Sequence, residues 1–287
     1  MIIYWIILIA AILTVVTSSI IDNNRFITTE YKVISNKITK NCRIAFLSDL
    51  HCNSFGRDNE RLIEAVRKAG PDIIIMGGDM VTSHAGEIHE HRLDIPVRLV
   101  EALQNYRIFY GIGNHEYRMY LYREDFEDSF DVLMDKLASH GVSIMRNNSE
   151  YLDEYNIDIQ GLEIEREYYK RGRKVIRDPG YVKEMTGERD GSHFRILMAH
   201  NPEYFDIYSK EADLVLSGHY HGGIGRLPIL GGAVSPRLRL FPVYDGGRYE
   251  KNGSVMIVSK GLGSHTIPIR VFNPCELCII DIDRNQA

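Results

Sequence analysis

RIAFLSDLH, Arg43–His51, decides the fold. A short apolar run closing on polar side chains reads as a buried strand whose end carries something other than core. DNERLIEAVRKAG (Asp58–Gly70) follows as a helix, with an Asp near its start and a Gly stop. The same unit then repeats. PDIIIMGGD (Pro71–Asp79) is a second buried strand, RLDIPVRLVEALQ (Arg92–Gln104) a helix, and RIFYGIGNHE (Arg107–Glu116) a third strand ending in polar groups. Strands alternating with amphipathic stretches define an α/β domain.

Beyond the helical EDFEDSFDVLMDKLASHG (Glu124–Gly141), strands follow one another more closely: GVSIMRN, YNIDIQGLE, FRILMAHNPE, DLVLSGHYHGG, SVMIVSKGLG and IRVFNPCELCIIDI. The second half is β-rich. Between them, residues 163–192 are dense in charge and Tyr with little periodicity, and read as a solvated surface insertion rather than a cover for a site. Cys275 and Cys278 have metal-pair spacing, but three residues apart in a strand they face opposite sides and read as structural.

Working outward to the start, Met1–Ile21 holds no charged side chain. A helix of that length covers roughly the 30 Å hydrocarbon core of a bilayer. A cleaved signal peptide would want Lys or Arg before the apolar run and a small-x-small site after it. Neither is clear, so residues 1–21 read as a single-pass anchor, 22–40 as a polar linker and 41–284 as one α/β domain. Arg25, Lys32, Lys37, Lys40 and Arg43 follow the span while nothing basic precedes it, which places the domain on the cytoplasmic side of the cell membrane. The net charge of −5 lacks the basic footprint that neutralises a nucleic-acid backbone, so no nucleic-acid partner is expected. Nothing in the sequence sets an oligomeric state.

The chemistry sits at the strand ends: Asp49 and His51, Asp79, Asn114 and His115, His200, and His219 with His221. Carboxyl ends of strands in an α/β sheet open onto one edge, so distant residues can converge there. Residues i and i+2 of an extended segment share a side, which would let Asp49 and His51, or His219 and His221, reach one cavity. A single His at a strand end is more often a surface or hydrogen-bonded residue. Several such motifs, each flanked by glycine, are hard to explain as packing.

SDLH, GGD, GNHE, the later AH and GHYH together resemble the calcineurin-like metallophosphoesterase superfamily, over about Arg43–Asp281. GHYHGG followed by GLG, IPIRVFNP and EL is similar to its membrane-associated bacterial branch of phosphodiesterases and lipid-sugar nucleotide hydrolases. The resemblance implies a four-layer α/β/β/α sandwich after the N-terminal transmembrane helix. It implies two divalent metal ions, one on Asp49, His51 and His221, the other on Asn114, His200 and His219, with Asp79 bridging. Manganese is the first expectation, Fe or Zn the alternatives. His115 is implied to stabilise phosphoryl charge or protonate the leaving oxygen, with Glu116 orienting it, while a metal-bridging hydroxide attacks.

The resulting expectation is hydrolysis of a phosphodiester or pyrophosphate bond, in a lipid-linked or nucleotide-linked substrate at the membrane. The alternatives are a hydrolase of soluble phosphoesters and a non-catalytic metal-binding platform. Ile224 stands where branch members carry Gln, and His84, His89 and His91 read as solvated loop residues.

Overall fold

The computed structural model describes residues 1–83, 90–169, 180–223, 225–227, 231–232, 234, 240–264 and 269–285, of residues 90, 91 and 227 the backbone but not the side chains. Helix α1 (Ile2–Asn24) is exposed from Ile2 to Thr17 and bonds to the domain through its polar last turns. It is long and apolar enough to cross a membrane. The chain continues through β1 (Phe26–Ser35), β2 (Cys42–Leu47), α2 (Glu60–Ala69), β3 (Ile73–Met76), α3 (Glu90–Ala102) and β4 (Arg107–Gly111). Then come α4 (Asn114–Leu121), α5 (Arg123–Phe126), α6 (Ser129–Ser139), β5 (Ser143–Met145), β6 (Asn148–Leu152), β7 (Ile157–Leu162) and α7 (Tyr181–Thr186). The remainder holds β8 (Phe194–Ala199), α8 (Phe205–Tyr208), β9 (Leu214–Ser217), the two-residue strands β10 (Arg226–Leu227) and β11 (Gly231–Gly232), β12 (Gly247–Lys251), β13 (Ser254–Val258) and β14 (Cys275–Arg284).

Two six-stranded sheets form, in the orders β1-β14-β2-β3-β4-β5 and β12-β13-β9-β8-β7-β6. The side-chain period of a strand, two residues, builds the layers. Ile44 and Phe46 of β2, Ile73 and Ile75 of β3, and Phe109 of β4 face Ile157, Ile159, Ile196, Leu214 and Ile257 of the second sheet. Their neighbours Ala45, Leu47, Ile74 and Met76 turn to the other face, against Leu62 and Val66 of α2, Leu99 of α3 and Leu133 of α6. Tyr181, Val182, Phe205 and Tyr208 cover the outer face of the second sheet. The result is the α/β/β/α order. Phe46, Ile75 and Phe109 lie in register and fully buried, each contributing about 1.5–3 kcal/mol of transfer free energy.

β14 shows the period most plainly. Cys275, Leu277 and Ile279 join the helix-side core, and Cys278, Ile280 and Ile282 the inter-sheet core. Cys275 and Cys278 are therefore separate buried thiols on opposite faces.

The polar linker expected over 22–40 is a strand instead. β1 pairs with β14 in parallel along its whole length, from Phe26 against Cys275 to Ser35 against Arg284. Its polar composition follows from its place at the sheet edge, where Val33 alone is fully buried.

Candidate metal centre

The sequence motifs meet at one edge of the two sheets, though not by the expected geometry. Asp49 and His51 follow β2, Asp79 follows β3, His200 follows β8, and His219 and His221 follow β9. Asp49, His51, Asp79, His219 and His221 all have positive φ, between 49° and 70°. They sit in tight left-handed turns, so convergence comes from turning, not from extended i and i+2 spacing. Cross-bonds hold two of these turns together: Asp49 N donates to Gly78 O at 3.0 Å and His51 N to Asp79 O at 3.1 Å. Asn114 and His115 lie in the first turn of α4 rather than at a strand end, with Gly113 before them. A side chain at Gly113 would place its Cβ 2.2 Å from Asp79 Oδ1, and one at Gly218 2.1 Å from Asp49 Oδ2. Only glycine lets the backbone pass this close to the two carboxylates.

Two clusters result. Asp49, His51 and His221 bring their ligand atoms within 4.8 Å of one another, as do Asp79, His200 and His219. His51 Nε2 and His221 Nε2 stand 3.2 Å apart, roughly the separation of two nitrogens bound at ~2.1 Å to one cation. Asp49 Oδ1 lies 3.3 Å from His221 Nε2 and 3.7 Å from His200 Nε2, so it looks into both clusters. Asp79 Oδ2 lies 3.1 Å from His200 Nε2 and 3.9 Å from His51 Nε2, and does the same.

The charge balance asks for a cation. Burial pushes the Asp49 carboxyl up to about 6, His200 pulling it down and Asp79 adding to the rise. Burial acts likewise on Asp79, but the positive charge of His200 and of His115 holds it well below the usual carboxylate range. Burial would lower His200, yet Asp79 and Asp49 push it up to about 10. Two buried carboxylates thus draw a proton onto the nearest imidazole, and a divalent cation answers the same field more strongly. Among the described residues, Asn114 Oδ1 is buried without a hydrogen-bond donor, as an acceptor kept for a metal would be, and Asp79 Oδ2 has His200 Nε2 at 3.1 Å where a cation would compete for it. Mixed imidazole, carboxylate and amide donors fit Mn²⁺, Fe or Zn²⁺. These residues fit a metal centre.

Partners at the far ring nitrogen sort the histidines. His200 Nδ1 lies 2.8 Å from Gly77 O and His221 Nδ1 3.1 Å from Gly263 O, so each donates an N–H there, and a cation that displaces the proton from His200 would meet an inward-facing Nε2 lone pair on both rings. His115 is the reverse. Its Nδ1 accepts the Ser83 backbone N–H at 2.8 Å, so in the neutral ring the proton sits on Nε2. By distance His115 joins His51 and Asp79 in a possible metal group. Its tautomer makes it a donor.

Glu116 does not orient His115. Its carboxylate accepts Asp79 N at 2.8 Å, Met80 N at 2.9 Å, Gly113 N at 3.1 Å and Tyr110 OH at 2.7 Å, and so fixes the backbone that carries Asp79. Burial, with Asp79 adding, raises its pKa to about 7. Ser83 has the positioning role expected of Glu116. Its signal was only its place four residues after Asp79, in a loop that no periodicity marks.

Two cavities flank the centre. One of about 240 Å³ is lined by Asn114, Tyr117, Arg118, Leu121, Arg166 and Tyr169. Tyr169 belongs to the charged insertion, and its ring stands edge-on to His219 at 5.1 Å. The start of that insertion therefore packs against the site, with Tyr168 buried beneath it, and is no solvated loop. The other cavity, about 420 Å³, runs from His51, Cys52 and Asn53 to Ser19, Ile20, Asn23 and Asn24 at the end of α1. His84, His89, Ile224 and the His91 side chain lie outside the described residues.

Residues 42–223 match the family described as calcineurin-like phosphoesterase. An uncharacterized metallophosphoesterase of Helicobacter pylori (strain J99) is 27% identical over 265 residues, which cover 90% of this chain and 64% of that protein. A relative of the same description in Aquifex aeolicus is 27% identical over 258 residues, covering 88% and 90%. Phosphodiesterase YaeI of Escherichia coli is 25% identical over 211 residues, covering 68% and 66%. The chain spans about two thirds of the length of the Helicobacter relative. From the match over most of its length and the α/β/β/α layers that carry it, the chain belongs to the calcineurin-like phosphoesterase family.

Proposed function

We propose that this chain hydrolyses a phosphodiester or pyrophosphate bond with two divalent cations, manganese first among them. Asp49, His51 and His221 would hold one ion, Asn114, His200 and His219 the other, and Asp79 would bridge. The observation carrying this reading is the pair of clusters, with Asp49 and Asp79 each facing both. The chemistry such ions supply when bound is acidification of water and neutralisation of phosphoryl charge. His115 directs its Nε2–H toward the same cluster and would donate to a phosphoryl or leaving oxygen. Arg118 and Arg166 in the adjoining cavity supply positive charge for an anionic substrate.

The substrate would be lipid-linked and met at a membrane, with α1 as the span and the domain on the cytoplasmic side. What supports this is the second cavity, which joins His51 to the last turn of the apolar helix. A phosphoester whose tails stay in the bilayer beside α1 could reach the metals by that route.

The test uses the full chain in detergent, stripped of metal and then given Mn²⁺, with Asp79→Asn alongside. Hydrolysis of bis-p-nitrophenyl phosphate should return with metal and fail in the variant. Cleavage of a diacylated phosphodiester should then exceed that of its deacylated counterpart in kcat/KM. No hydrolysis of either class with two ions bound would overturn the enzymatic reading. Equal rates on the two lipids would overturn the lipid-linked one.

A further inference from the structure

The last turns of α1 are polar and bonded to a loop that also holds a proposed metal ligand. Asp22, 1% exposed, accepts the Asn273 backbone N–H at 2.8 Å on Oδ2 and the Arg25 guanidinium at 2.9 Å on Oδ1. One turn earlier, Ser18 Oγ accepts Phe272 N at 3.0 Å and Ser19 Oγ accepts Arg270 N at 3.2 Å. The loop 270–273 thus directs three backbone donors at the helix end, and the side chains of Ser18, Ser19 and Asp22 receive them.

That loop reaches His221 by two routes. Asn273 Nδ2 donates to His221 O at 2.7 Å and to Gly223 O at 2.8 Å, pinning the turn that gives His221 its positive φ. The buried Arg270 donates to Gly263 O at 2.5 Å, and Gly263 O is the partner of His221 Nδ1. The backbone of His221 bonds directly to Asn273, which α1 holds, and its ring is one residue, Gly263, removed from Arg270, which α1 also holds. In the other cluster His200 is fixed by Gly77 O, within the body of the domain.

We propose that Asp22 is a positioning residue for His221, so that the seating of the apolar helix sets the affinity of one of the two metal sites. This rests on the metal assignment above. It makes α1 part of the active centre and not only a tether. A helix end pulled from the loop would free the Asn273 N–H, loosen the His221 turn and weaken the ion on Asp49, His51 and His221, while the ion on Asn114, His200 and His219 stays.

The experiment measures Mn²⁺ affinity by chelator competition in the full chain in detergent micelles, for the wild type, Asp22→Ala and Asp22→Asn. Loss of an outer partner of a metal-bound imidazole costs 10- to 100-fold in affinity, so Asp22→Ala should weaken one ion by about tenfold. Asp22→Asn keeps an oxygen acceptor for Asn273 N and should retain most of the affinity. In a His221→Ala background the Asp22→Ala change should cost nothing further, because both act through one ligand. Two wild-type affinities in Asp22→Ala, or equal weakening of both ions, would overturn the proposal. If Asp22→Ala does not fold, Ser19→Ala decides: a selective loss of roughly threefold supports the link, by the same outer-partner reasoning, and wild-type affinity refutes it. A wild type that binds no divalent ion refutes the metal assignment itself, before any variant is compared.

Discussion

Replacing His115 by Asn separates the role of its ring from that of the metals. The Asn carboxamide oxygen stands close to where Nδ1 stood and can accept the Ser83 N–H, now 2.8 Å from the ring, so the turn keeps its bond. The Nε2–H is lost. If that group only steadies phosphoryl charge, its removal costs about 10²–10³-fold in kcat, whatever the leaving group. If it also protonates the departing oxygen, the cost depends on how badly that oxygen needs a proton. A p-nitrophenolate leaves unaided, so bis-p-nitrophenyl phosphate should lose about 10²-fold, whereas an alkyl phosphodiester should lose nearer 10⁴-fold. The assay is kcat for both substrates with saturating Mn²⁺, with metal content measured on the same samples. His115→Gln, which can return an N–H near the Nε2 position but cannot transfer a proton, should recover the first substrate more than the second. Loss of metal from His115→Asn, or activity within about threefold of wild type on both substrates, would refute the donor role inferred from the tautomer.

Gly113→Ala should cost about 1–3 kcal/mol of stability and lower metal content, because its Cβ would stand 2.2 Å from Asp79 Oδ1 and 2.4 Å from Asp79 N; thermal melting and elemental analysis check this together. Glu116→Gln turns an amide NH₂ toward a nest of four donors and should cost roughly 1–3 kcal/mol, with Asp79→Asn-like loss of activity; an unchanged melting temperature would count against the nest. Tyr169→Ala should raise KM more than it lowers kcat, since the ring lines the cavity and stands against His200 and His219. A fall in kcat alone, at constant KM, would refute that placement.

The sequence carries the sandwich where apolar runs are continuous. RIAFL, DIIIM, ILMA and LVLS are buried on both faces, and such strands announce themselves by composition. β1 escapes because an edge strand needs little apolar surface, and its partner β14 lies at the far end of the chain, where no local signal points to it. The ligand types were legible, but their geometry was not. Five of them sit at positive φ, which Asp and His tolerate better than bulky residues without advertising it. Glu116 stands beside His115 in sequence, but its partners are Tyr110 OH and backbone N–H groups, two of them brought by another loop. The backbone groups have no side-chain identity to read. The insertion reads as solvated because its charges outnumber its anchoring apolar side chains, among them Tyr168, Tyr181 and Val182.

The placement of β14 has a consequence for how the molecule comes into being. It lies between β1 and β2, so the first sheet has a gap between those two strands until β14 has been made. Until then β1 and β2 offer unpaired edges to solvent and to other strands. Closure of the sheet, and with it the docking of the 270–273 loop onto α1, joins segments that lie far apart along the chain. Pairing across such a separation is slow for entropic reasons.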